Sequence, residues 1–136
     1  MPSSLRSVST AYVALGVLAV AILIASAIPV PSATPQTDPT GSVATTTLFH
    51  IAGYATLAAG GVWTRATRLR VNADRQRRLV AVASVVAAVA LFGVVTEVLQ
   101  GFVPWRTFSV AEIGLNAASA AVGGLLATMW FYRPVE

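Results

Sequence analysis

Four long apolar stretches, separated by polar segments, set the pattern of this chain. The first covers residues 11–28 (AYVALGVLAVAILIASAI), carries no charge, follows Arg6 and stops at Pro29 and Pro31. Proline cannot continue a helix and restrains the residue before it, so this run reads as one helix with a defined end. Residues 46–63, 79–100 and 110–132 supply three further runs. An α-helix needs about 20 apolar residues to cross the hydrocarbon of a bilayer. The second run lies near the lower limit of about 17, which predicts some tilt or local thinning. Ala25-Ser26-Ala27 has the small-residue form of a signal-peptide cleavage site, but the apolar run is long for a signal core, and a retained first span is expected. The expected fold class is therefore all-α, an integral membrane four-helix bundle forming a single domain over residues 1–136.

The segments between the runs differ in kind. Residues 29–47 are rich in Pro, Ser and Thr with one acid, Asp38, and read as an irregular extramembrane loop. Residues 64–78 (TRATRLRVNADRQRR) hold six arginines. Residues 101–108 (GFVPWRTF) combine a helix breaker, an interfacial tryptophan and Arg106, as suits a short connection at a membrane surface. Trp130, Tyr132 and Arg133 read as an aromatic and basic anchor closing the fourth span.

Composition sharpens this reading. With 56% hydrophobic and 10% charged residues in 136, the chain has too little polar material to coat a soluble globule. The net charge of +4 comes from nine arginines against five acids, and six of the nine cluster in one loop, a topology signal rather than a nucleic-acid footprint, so no nucleic-acid partner is expected. Arg6, the six of the second loop and Arg133 fall on one side, and Arg106 alone on the other. Both termini are therefore expected to be cytoplasmic, and the first and third loops external. Cysteine is absent, which excludes a disulfide framework, a thiol nucleophile and a thiolate metal site.

Each of the last three spans carries a polar pair at helical spacing: His50 and Tyr54, Glu97 and Gln100, Glu112 and Asn116. With the topology above, all six fall in the outer part of the bilayer, level with Arg106. A carboxylate at the centre of a membrane helix costs about 2.5–3.5 kcal/mol on insertion scales and less towards the interface, so both glutamates are expected to point inward and find partners. Arg106 is the expected partner, because its planar fork can bridge a carboxylate and a further anion. Plainer roles stand beside these. Ser109-Val-Ala-Glu112 fits a capping box, Glu97 and Gln100 could reach interfacial water, and His50, Tyr54 and Asn116 suit interhelical hydrogen bonding. Gly53, Gly60, Gly61, Gly93, Ser119 and Gly123 allow close helix approach.

Three blocks carry a resemblance to the VanZ-like family. H-I-A-G-Y, with His50 and Tyr54, is similar to the family's H-x-x-x-Y. E-V-L-Q-G-F-V-P-W-R, with Glu97, Gln100, Pro104 and Arg106, resembles its E-x-x-Q followed by an F-V-P-x-R-type stretch. E-I-G-L-N, with Glu112 and Asn116, stands where the family has D-x-x-x-N. Ser26 and Pro29 look like the S-x-x-P that closes the family's first helix. Two departures are evident: Thr46 and Thr47 stand where the family often has an Asp-Lys pair, and Ser119 replaces a usual Gly. The resemblance implies a membrane protein of the cell envelope, with a possible link to glycopeptide-antibiotic or envelope-stress response; it delivers no reaction and no cofactor.

Three functions follow as expectations. The first is binding or handling of an anionic lipid or lipid-linked headgroup through His50, Tyr54, Glu97, Gln100, Arg106, Glu112 and Asn116, with membrane lipids or a lipid-linked glycan as partners. The second is an intramembrane hydrolase or transferase with His50 or Glu97 as general base. The third is an accessory subunit contacting another membrane protein through small-residue faces. His50, Glu97 and Glu112 lack a second histidine or a thiolate, so no metal site is expected. One polar layer at one end gives no continuous path for a channel or transporter.

Overall fold

A computed structural model describes residues 3–29, 45–68 and 74–132. These form four helices: α1 (Ser3–Ala27), α2 (Thr45–Arg68), α3 (Arg75–Gln100) and α4 (Val110–Phe131). Most of the 29–47 loop, Arg70 and Arg133 lie outside the described residues. Each helix covers one of the apolar runs, and three of the four extend well beyond it. A helix is held by its own backbone hydrogen bonds and need not stop where the apolar residues do.

The helix ends have local causes. Pro29 follows the last turn of α1. Arg65 and Arg68 occupy the last turn of α2, where cations offset the partial negative charge of the helix terminus. Asp74 caps α3, its Oδ1 accepting from the Arg77 amide at 2.7 Å. Ser109 caps α4 through its hydroxyl, which accepts from the Glu112 amide at 3.3 Å.

Neighbouring helices run antiparallel. Two cation–π contacts mark one end: the Arg68 guanidinium lies 4.6 Å from the centre of the Tyr12 ring, and that of Arg78 lies 5.1 Å from the Tyr132 ring. At the other end the indole N–H of Trp105 donates to the Ala27 carbonyl at 3.1 Å, joining the α3–α4 connection to the end of α1.

Among the described residues, three helices are long and apolar enough to cross a membrane: α1 from Ser9 to Ala27, α3 and α4. The exception, α2, carries His50, several threonines and glycines, and two arginines. It is also the helix with the most extensive packing within the chain, chiefly against α4. A helix lined by protein on most sides can carry polar and small residues that a lipid-facing helix cannot. Outward-facing side chains elsewhere are strongly apolar, among them Val13, Val17, Leu91, Val122, Leu125 and Leu126. This inside-out distribution suits hydrocarbon rather than water as the surrounding medium.

The seam between α2 and α4 is close because of glycine. A Cβ placed on Gly123 would collide with the backbone of Ala55, so only glycine permits that approach. Ser119, Ala120, Gly124 and Ala127 continue the buried stripe of α4. These small residues of α4 are thus engaged within the chain.

Candidate functional site

The ends of α2, α3 and α4 that meet at the Trp105 level enclose a layer of polar side chains. Tyr54, Glu97, Asn116 and Thr96 are completely buried at 0% exposure, and Gln100 at 3% and His50 at 8% nearly so. Spacing explains how one helix contributes two members: residues three or four apart share a face. Gly93 explains how the helices converge. A Cβ there would lie 3.0 Å from the Asn116 Cβ and 3.3 Å from Tyr54 Cε1, so α3 offers a bare surface on which side chains of the other two helices rest. Tyr54 also packs against Phe92, with ring centroids 5.9 Å apart, and its ring lies 6.1 Å from that of His50.

The partners within the layer differ from those expected. Glu97 Oε1 accepts the backbone N–H of Ser109 at 2.7 Å. That amide is the donor a capping box reserves for the glutamate three residues later. The cap is therefore shared between helices, with the Ser109 hydroxyl serving the Glu112 amide and Glu97 of α3 serving Ser109. The Glu112 carboxylate stands 3.9 Å from His50 Nδ1. Arg106 joins neither the His50–Glu112 pair nor the Arg77–Asp74 pair. It is half-buried beside the layer, close enough to act on Glu97 through its field. The reason is geometric. Arg106 leaves an irregular connection whose backbone is fixed by its own N–H bonding to the Val103 carbonyl at 2.9 Å, and its side chain lines the cleft between α1 and α2.

Unmet hydrogen-bonding capacity is concentrated here. Among the described residues, seven buried side-chain polar atoms find no partner, and six belong to this layer: His50 Nδ1, the Tyr54 hydroxyl, Glu97 Oε2, Gln100 Nε2, and both Asn116 Oδ1 and Nδ2. The Tyr54 hydroxyl faces Thr96, whose own hydroxyl donates to the Phe92 carbonyl at 2.9 Å. Leaving such a group unsatisfied costs about 1–3 kcal/mol.

All seven residues singled out from the sequence lie at this end of the molecule, five of them as buried members of the layer and Glu112 and Arg106 at its edge. Ser26 was not among them, yet it is 3% exposed and lines the same cleft as His50 and Arg106. The available signal was its place as a polar residue near the end of the charge-free apolar run of α1. Ser109 was legible as a cap, but its service to Glu97 was not. For catalysis, a general base must reach the proton it removes. Glu97 is enclosed and committed to a backbone amide, which suits it to holding the α3–α4 junction; His50 is the more accessible of the two at the cleft.

Among the described residues, fold and site define an all-helical arrangement with three helices long and apolar enough to cross a membrane and a polar layer buried at one end. Comparison with protein-family models, with curated proteins and with solved structures returned no match.

Proposed function

We propose that this chain is a multi-pass protein of the cell membrane that binds an anionic lipid headgroup through the polar layer and Arg106. One observation carries the reading: Arg106, His50 and Ser26 form the polar end of an otherwise apolar cleft, beside a buried layer in which six side-chain polar atoms have no hydrogen-bond partner. A guanidinium recognises phosphate with a planar fork of donors. His50 and Ser26 stand with it at the opening of the cleft, and the enclosed Tyr54 packs beside the His50 ring on the side of the buried layer. The proposed orientation keeps both termini in the cytoplasm and sets the layer in the outer leaflet, at headgroup depth. The VanZ-like resemblance of the three blocks is consistent with an envelope role and is part of the proposal.

Titration of purified protein with phosphatidylglycerol in mixed micelles tests the reading. Arg106→Ala is expected to weaken binding by tenfold or more, and Arg106→Lys to recover part of the loss. Equal affinity of Arg106→Ala and the native protein would refute it. A second reading, headgroup hydrolysis or transfer, draws on the His50–Glu112 juxtaposition. Turnover of a labelled lipid that disappears in His50→Ala would establish it.

A further inference from the structure

Between α1 and α2 lies a cleft of about 380 Å³, open on one side. Its walls are small or apolar, notably Ala21 and Ala25 from α1 and Ala52 and Gly53 from α2, and its deep end is bounded by Leu18 and Thr56. Its other end is polar, formed by Ser26, His50 and Arg106. The helices pack antiparallel along it. A Cβ on Gly53 would lie 3.1 Å from Ile22 Cδ1, and one on Gly60 would lie 2.7 Å from Leu15 Cδ2. Residues 18 and 26 are eight apart on α1, so the cleft extends about 12 Å along the helix axis.

An apolar cleft bordering hydrocarbon loses dispersion contacts along its whole lining if it stays empty. Its length is close to the depth of one leaflet, about half of the roughly 30 Å hydrocarbon thickness. A polyprenyl chain would overrun it, whereas one acyl chain of a phospholipid would fill it with the phosphate beside Arg106. We infer that the α1–α2 cleft seats one acyl chain of an anionic phospholipid whose headgroup is held at Arg106, His50 and Ser26. This rests on the headgroup reading above and adds the chemical class of the ligand and the path of its chain. The second acyl chain stays in the bilayer, and entry is lateral, through the open side of the cleft.

The test uses the full chain in nanodiscs containing phosphatidylglycerol with a diazirine in one acyl chain. Photolabelling should concentrate on residues 18–25 and 49–56. Ala52→Leu, and independently Ala25→Leu from the opposite wall, should cut that labelling at least fivefold, whereas Gly114→Ala, outside the cleft, should leave it unchanged. Circular dichroism and melting in detergent identify whichever filling variant keeps the fold. Labelling spread evenly over the outer faces of α3 and α4, or undiminished in a folded filling variant, would overturn the inference. So would stronger labelling by a polyprenyl phosphate bearing the same diazirine. Failure of the headgroup reading looks different: Arg106→Ala would then bind the dihexanoyl lipid as well as native protein, whatever the labelling pattern.

Discussion

The carboxylate of Glu97, in the last turn of α3, accepts the backbone N–H of Ser109, the capping residue of α4, at 2.7 Å. Two helices thereby share one cap, and the short connection between them closes on a buried acid. Glu97 is fully enclosed, so the bond is shielded from competing water.

Loss of that acceptor should therefore destabilise the junction. Glu97→Ala is expected to cost about 1–3 kcal/mol, the range for stranding a buried donor, and Glu97→Gln less, because its amide oxygen can still accept from Ser109. Thermal melting in detergent checks the order. An alanine variant as stable as the native protein would remove the structural role assigned here.

The glycines of α4 should differ sharply in tolerance. Gly123→Ala places a methyl against the Ala55 backbone, whereas a Cβ on Gly114 meets nothing within 4 Å. Gly123→Ala is expected to lower the melting temperature strongly; Gly114→Ala is expected to be neutral or to stabilise by up to about 1 kcal/mol through helix propensity. If the two variants melt together, the α2–α4 seam is not as close as described.

His50 and Glu112 should show a small but measurable coupling. Interhelical polar pairs in membrane proteins average about 0.6 kcal/mol in double-mutant cycles and reach about 1.7 at most. At 3.9 Å, a cycle on His50→Ala and Glu112→Ala is expected to fall within that range. Strict additivity would mean that the two side chains do not sense each other.

Orientation can be read chemically, since the chain has no cysteine to remove. Thr107 and Gln76 are both exposed, at opposite ends of α3 and its connection. A membrane-impermeant maleimide added to intact cells is expected to label Thr107→Cys and to label Gln76→Cys only after permeabilisation. The reverse pattern would place the arginine-rich segment outside and move the polar layer to the inner leaflet.

The four helices and the polar pair on each of the last three were legible in the sequence, because both depend on spacing along a single chain segment: apolar runs of helical length, and side chains three or four residues apart. Arg106 was legible as a lone cation at the level of two acids. Which groups met was not. Glu97 joined Ser109, Glu112 faced His50, and Arg106 turned to the α1–α2 cleft with Ser26, because partner choice depends on how closely whole helices approach and where an irregular connection directs its side chains. The same holds for α2. The length of its apolar run read as a short, tilted span, but it is the helix most extensively packed within the chain, and its glycines and the Gly123 contact exchange apolar surface for backbone proximity. Helical periodicity is a local property and survives in the sequence; the crossing of helices through Gly93 and Gly123, and hence the enclosure of the polar layer, exists only once the chain has packed.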